Sequence, residues 1–279
     1  MTRSLPLTGT RIAITRPSGT AGSLAQRVRA LGGTPLLLPG SSLRAPADVE
    51  TARKALRTAL SSDIAIFISP AAVRFARRLG ALRGRAVILA PGAGTQRALR
   101  RVGRTDAIAP AREDSEGLLA MPALQHVQGR RIGVVGAAGG RGLLDGELGR
   151  RGAEIVHAHV YRRLPARLDR RHADALRRTA HEPLYVLLSS VEALANLLGG
   201  LSAEVRPTLL GGAAVTSSER LATAARGAGF ARVLQADSAH TNDMLAAVVK
   251  GQARDGRGNP QQPKPTHSGV RPRKRSDQG

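Results

Sequence analysis

The chain repeats itself at an offset of 120 residues. Arg11-Ile12-Ala13-Ile14-Thr15 returns as Arg131-Ile132-Gly133-Val134-Val135, Leu24 as Leu144, and Gly32 as Gly152. Ile66-Phe67-Ile68-Ser69 returns as Val186-Leu187-Leu188-Ser189, and Gly92 falls on Gly212. Beyond that point an insertion of two or three residues shifts the register, and Thr95-x-Arg97-x-Leu99 stands against Ser218-Glu219-Arg220-Leu221. Two similar units of this length predict two similar domains. Two such domains facing each other leave a cleft, the usual seat of small-molecule chemistry.

Within each unit strands alternate with helices. Strands are predicted over 12–15, 35–38, 64–68 and 86–90 in the first unit, and over 132–135, 154–161, 184–188 and 208–210 in the second. The helix that follows the first strand spaces Leu24, Val28 and Leu31 along one face and stops at Gly32-Gly33; its counterpart is predicted over 143–151. This alternation argues for parallel sheets with helices on both faces. Hydrophobic residues make up 42% of the chain and aromatics only 2%, so the core has to be built from Leu, Val, Ile and Ala.

The chain has no Cys, which excludes disulfides, thiolate metal sites and a cysteine nucleophile. The first residues lack the apolar core of a signal peptide, and no run approaches the ~18 apolar residues of a membrane span. A soluble, cytoplasmic protein is expected. Net charge is +23. Residues 251–279 hold seven Lys/Arg, two Asp, four Pro and five Gly, and read as a disordered basic tail. Its end, Arg271-Pro272-Arg273-Lys274-Arg275, suits nucleic acid or an anionic surface; a solubilising tail without a specific partner is the simpler reading. The basic body favours an anionic ligand.

In parallel sheets ligands sit beyond the carboxyl ends of the strands, where helix N-termini point. The turns expected there are Arg16-Pro17-Ser18-Gly19, Ser69-Pro70, Gly92 to Thr95, Gly136 to Gly142, Ser189-Ser190 and Gly211 to Ser218. They carry Ser, Thr, Gly and two Arg, with little carboxylate, and their free N–H groups suit anions. Ser69, Thr95, Ser115, Ser189, Ser218 and Thr241 also read as plain helix caps. The loop Gly136 to Gly142 fits neither the dinucleotide spacing nor the P-loop, but Arg141 offers a guanidinium to a carboxylate or phosphate. His157 and His159 share one strand face without an evident third metal ligand. No Ser-His-Asp set and no clustered carboxylate pair is present, which points to binding and positioning rather than heavy acid–base chemistry.

Several segments together resemble the uroporphyrinogen-III synthase family over about residues 9–250. They are Ile14-Thr15-Arg16-Pro17, Phe67-Ile68-Ser69-Pro70-x-x-Val73, Gly92-x-Gly94-Thr95-x-x-Ala98-Leu99 and Asp114-Ser115-Glu116-Gly117-Leu118-Leu119. Gly139-Gly140-Arg141, Val160-Tyr161-Arg162 and Thr216-Ser217-Ser218-Glu219-Arg220-Leu221 complete the series. The pattern departs at Ala71, where an Asn is often found, and at Leu89-Ala90-Pro91.

The resemblance implies two α/β domains joined by a two-stranded connector, one domain being discontinuous. Residues 1–38 would pack with 163–250, 43–158 would form the other domain, and 36–43 and 155–164 would be the connector. The implied reaction cyclises linear hydroxymethylbilane to uroporphyrinogen III with loss of water and inversion of the last pyrrole ring, without metal or cofactor. The substrate carries eight carboxylates, and spontaneous closure yields the wrong isomer, so orientation is the main task. Tyr161 matches the family's favoured general acid; an ordinary phenol, with a pKa of about 10, is a protonated donor at neutral pH. Arg16, Ser69, Thr95, Arg141, Ser189 and Ser218 are the expected substrate-binding residues. The resemblance further implies a monomer and a transient contact with the enzyme that makes hydroxymethylbilane. Two other readings are a hinged anion-binding protein without catalysis, against which the missing signal peptide counts, and a nucleic-acid binder, against which the lack of stacking aromatics counts.

Overall fold

The computed structural model of the chain describes residues 5–139, 142–179 and 182–255. The elements run β1 (Arg11–Ile14), α1 (Gly22–Ala30), β2 (Thr34–Leu37), β3 (Ser41–Arg44), α2 (Val49–Leu60), β4 (Ile64–Phe67), α3 (Pro70–Leu79), β5 (Val87–Leu89), α4 (Ala93–Arg101) and α5 (Ser115–Leu119). After a 3-10 turn at Pro122–Leu124 come β6 (Arg131–Ala137), α6 (Gly142–Arg150), β7 (Glu154–Pro165), α7 (Arg170–Arg177), β8 (Leu184–Leu187), α8 (Val191–Gly200), α9 (Arg206–Leu210), β9 (Ala213–Thr216), α10 (Glu219–Gly227), β10 (Arg232–Gln235) and α11 (Thr241–Asp255).

Two five-stranded sheets organise these elements. The first has the order β10-β9-β8-β1-β2, parallel throughout. The second has the order β3-β7-β6-β4-β5 and is parallel except where β3 runs against the far end of β7, from Ser41 opposite Pro165 to Arg44 opposite Arg162. The first sheet therefore draws strands from both ends of the chain, and the second takes the middle. β7 is the longest strand, and it changes partner along its length, pairing β6 from Glu154 to Tyr161 and β3 beyond.

The helices stand where the periodicity puts them. α2 buries Ala52, Leu56, Ala59 and Leu60 along one stripe and starts at Asp48, whose carboxylate accepts from the Thr51 N–H. α3 starts at Ser69 with Pro70 in its first turn and buries Val73, Ala76 and Leu79. Four apolar clusters result, one on each face of each sheet. α1 and α11 cover one face of the first sheet, while α7, α8, α9 and α10 cover the other. α2 and α3 cover one face of the second sheet, and α5, α6 and the Pro122–Leu124 turn cover its other face. The clusters are aliphatic, as the composition requires; Tyr185 lies buried within β8.

The structure departs from the expected elements in two places. Residues 208–210, expected as a strand, belong to helix α9, and the strand lies beyond Gly212 at Ala213–Thr216. Pro207 in the first turn is the local signal for that helix, and the Ala-Ala-Val run of β9 has weak strand propensity, so burial rather than propensity makes it a strand. Gly212 consequently precedes β9 and is not the counterpart of Gly92, which follows β5. In the first unit a single parallel bridge joins Leu89 of β5 to Ile108. Finally, α11 continues through Asp255, past the expected start of the tail at 251. Gly251 packs so tightly that a Cβ there would lie 2.6 Å from Leu234 Cδ1, and the Gln252 amide donates to the Thr10 hydroxyl. The rest of the expected tail lies outside the described residues, as do Gly140 and Arg141.

Candidate active site

Both sheets are doubly wound, so each has a point where the chain leaves neighbouring strands for opposite faces. In the first sheet this point lies between β1, followed by α1, and β8, followed by α8; in the second it lies between β6, followed by α6, and β4, followed by α3. A crevice opens beyond the carboxyl ends of the strands at such points. The expected site residues that the structure describes collect at these two ends.

In the second sheet Ser69 follows β4 and caps α3: its Oγ accepts from the Ala72 N–H at 3.1 Å. The Tyr161 hydroxyl lies 3.5 Å from the same Oγ, at the outer limit of hydrogen bonding. Tyr161 is 3% exposed, whereas Ser69 is half-buried, so Ser69 stands on the outer side of the pair. The inward aim of Tyr161 has a specific cause. Along β7, His157 and His159 face solvent and Ala158 and Val160 face the core, so strict alternation would expose residue 161. The register with β6 slips between Gly136, opposite His159, and Ala137, opposite Tyr161. This bulge turns Val160 and Tyr161 both inward, the re-aiming that bulges produce beside functional sites. The Tyr161 ring then stacks on Phe75 of α3, with centroids 5.3 Å apart. The guanidiniums of Arg74 and Arg78 each stand 5.3 Å from the Phe75 ring centroid.

Thr95 is buried one turn inside α4, and Gly92 occupies the cap position instead. The Glu113 carboxylate packs over this N-terminus, so closely that a Cβ at Gly92 would lie 2.5 Å from its Oε2. One turn thus carries a carboxylate that is not evident from the residues of the turn itself. Asp114, not Ser115, caps α5 by accepting from the Gly117 N–H at 2.7 Å.

At the first sheet Ser218 caps α10 as expected, accepting from the Leu221 N–H at 3.4 Å. Ser189 does not cap α8; Ser190 does, accepting from the Ala193 N–H at 3.0 Å. The extra residue shifts the cap correspondence with Ser69 from 189 to 190, a difference that two adjacent serines conceal in sequence. Ser189 instead pairs with Thr15. The Ser189 N–H donates to the Thr15 Oγ1 at 3.0 Å, the Ser189 hydroxyl donates to the Thr15 carbonyl at 3.2 Å, and the Thr15 hydroxyl donates to the Leu187 carbonyl at 2.9 Å. This reciprocal lock ties the ends of β1 and β8 together. Arg16 follows directly and is half-buried, and its Nη2 donates to the Thr241 Oγ1 at 3.4 Å. Burial pushes the Arg16 guanidinium below its usual pKa. Sequence reasoning named the Ser189-Ser190 turn but took Ser189 as its cap, and it gave Thr15 no role; a Thr closing an apolar strand was the available signal for Thr15.

His157 and His159 lie side by side with ring centroids 5.6 Å apart, and His157 Nε2 is 3.6 Å from Asp145 Oδ2. Among the described residues no group of three His, Asp or Glu side chains is arranged to hold a metal. Nor is any helix among them long and apolar enough to cross a membrane.

Comparison with known proteins gives this arrangement a context. Residues 22–246 match the family model described as Uroporphyrinogen-III synthase HemD. The uroporphyrinogen-III synthase of Salmonella typhimurium is 33% identical over 244 residues, covering 85% of this chain and 99% of that protein. That of Escherichia coli K12 is 32% identical over 250 residues, with the same two coverages of 85% and 99%. Among solved structures, a mutant uroporphyrinogen III synthase from Thermus thermophilus superposes with a TM-score of 0.52 at 21% identity, over 88% of this chain and 99% of that one. Uroporphyrinogen-III synthetase from Helicobacter pylori does so with a TM-score of 0.54 at 15% identity, over 86% and 99%. These two likenesses establish a shared fold. The family match over most of the chain, together with two relatives above 30% identity along nearly their whole length, shows that this chain belongs to the uroporphyrinogen-III synthase family.

Proposed function

We propose that the protein cyclises linear hydroxymethylbilane to uroporphyrinogen III, losing water and inverting the last pyrrole ring. The observation that carries this reading is the family match over residues 22–246. The site is a cleft between two α/β domains, residues 1–38 with 163–255 and residues 43–158, with the carboxyl ends of both sheets toward it. The two-sheet arrangement and the clustering of Arg16, Ser69, Ser189, Ser218 and Tyr161 at those ends support it.

The chemistry then follows from what each group can do. The Tyr161 hydroxyl is the acid. Ser69, on the outer side of the pair, passes the proton on: its Oγ accepts from Tyr161 as its own proton goes to the departing hydroxyl. The C–O bond of the hydroxymethyl group breaks, water leaves, and the electron-poor methylene is attacked by the substituted carbon of the last ring. Rearrangement inverts that ring, and the proton lost in restoring the pyrrole returns through Ser69 to Tyr161, which regenerates the acid. Nothing in these steps needs an oxidant or a reductant. The capped N-termini of α3, α8 and α10 and the Arg16 guanidinium hold substrate carboxylates, and by matching its motif Arg141 joins them; Thr95, buried in α4, shapes the wall rather than touching an anion. Holding the chain folded for closure at one carbon is worth more here than the proton transfer, since closure in solution takes the other course.

Incubation with enzymatically made hydroxymethylbilane, followed by chromatographic separation of the isomers, tests the proposal. The type III product in excess is expected. Only the type I isomer, at the rate of closure in buffer, would refute it.

A further inference from the structure

Arg16 stands at the point where the strand order of the first sheet reverses, at the carboxyl end of β1 beside β8. The crevice there is a cavity of about 150 Å³ whose walls include Arg16, Leu24, Leu187, Ser189, Ser217 and Met244. Leu24, Leu187 and Met244 are buried and make an apolar wall. In the lock beside it Thr15 and Ser189 find hydrogen-bond partners in each other and in the Leu187 carbonyl. The guanidinium is the exception. Its hydrogen bond to Thr241 is long, and among the described residues no carboxylate comes within ion-pair distance of it. Arg11, at the opposite end of β1, shows the contrast: Nε and Nη2 donate to both oxygens of Glu182 at 2.9 and 2.8 Å. A half-buried cation without a counter-ion has lost part of its hydration with nothing in return, so an anion from outside is the group that completes Arg16.

We infer that this cavity takes one carboxyalkyl arm of the substrate, its carboxylate accepting hydrogen bonds from the Arg16 guanidinium and its methylene carbons lying against Leu24, Leu187 and Met244. The inference rests on the proposed tetrapyrrole activity and assigns one arm to one subsite. Drug-sized ligands fill cavities of about 300–1,000 Å³; this one suits a side arm and not a macrocycle. A planar guanidinium binds a carboxylate through two parallel hydrogen bonds, which fixes the direction of the arm as well as its charge.

The test uses the full chain under anaerobic conditions, with Arg16→Met and Arg16→Lys beside the wild type. Binding is measured calorimetrically with uroporphyrinogen III, which has carboxymethyl and carboxyethyl arms, and with coproporphyrinogen III, which has methyl groups in place of the carboxymethyl arms. Arg16→Met should weaken uroporphyrinogen III binding by about ten- to a hundredfold, as expected for charge-assisted hydrogen bonds, and Arg16→Lys should recover part of the loss. The melting temperature of ligand-free Arg16→Met should stay level or rise, because a cation without a counter-ion has been removed; a residue retained for structure would lower it. A penalty that persists with coproporphyrinogen III assigns a carboxyethyl arm, and one confined to uroporphyrinogen III assigns a carboxymethyl arm. If Arg16→Met binds uroporphyrinogen III as tightly as a wild type that makes the type III isomer, the inference is overturned and the activity stands. If the wild type makes no type III isomer and binds neither compound, both fall.

Discussion

The Tyr161 hydroxyl lies 3.5 Å from the Oγ of Ser69, and Ser69 occupies the outer position of the two. A strand bulge places the first residue and a helix cap places the second, so the pair forms at the junction of β7 and α3.

If the proton passes through this pair, both hydroxyls matter. Tyr161→Phe keeps the ring against Phe75 and should slow turnover by about 10²–10⁴-fold, the usual worth of a placed acid. Ser69→Gly removes the relay while leaving the cap within a few tenths of a kcal/mol, and should cost a similar factor. Single-turnover rates of both variants decide it: a fully active Ser69→Gly enzyme with an impaired Tyr161→Phe enzyme would mean that Tyr161 reaches the substrate directly.

The lock between Thr15 and Ser189 should be a stability determinant. Thr15→Val keeps the shape but leaves the Ser189 N–H, on an exposed residue at the strand end, without its protein acceptor. The loss should be about 0.5–1.5 kcal/mol, the net worth of a hydrogen bond whose donor water can reach. Urea unfolding at constant m-value measures it, and an unchanged midpoint would show that water replaces the missing oxygen.

Shortening the chain should separate the last turn of α11 from residues 256–279. A chain ending at Asp255 should turn over normally, whereas one ending at Lys250 loses the Gly251 packing and the Gln252 hydrogen bond to Thr10 and should unfold at a lower temperature. Equal melting temperatures for the two would show that the last turn of α11 adds nothing.

Acid should weaken the protein partly through Glu147. Hydrogen bonds from Arg150 first, and then Arg151, hold its carboxyl down at about 2. A carboxylate whose pKa is depressed on folding stabilises the native state above its unfolded pKa of about 4.3, and this contribution is lost as pH falls toward 2. Wild type should therefore lose more stability between pH 5 and pH 2 than Glu147→Gln does. Parallel pH profiles of the denaturation midpoint for the two proteins would refute the assignment.

How much of this was legible in the residues depends on the range of each interaction. Ser69-Pro70 and Ser218-Glu219 announce helix starts because a cap is settled within three residues, and the structure keeps both. The buried strands Ile64–Phe67 and Leu184–Leu187 announce themselves because both faces are covered, so the run is apolar throughout. The family motifs belong to the same local turns. Ser189 and Ser190 mark the limit: one caps a helix, and the other binds Thr15 across 174 positions of sequence. The aim of Tyr161 was equally hidden, because alternation along β7 predicts the exposed face and only a register slip against β6 reverses it. The isolation of Arg16 from any described carboxylate follows from which strands lie side by side. Sequence by itself determined the segments that pair and cap within a few residues; the site belongs to tertiary structure, because hydrogen bonds and cavities there join strands that meet only after the sheets have formed.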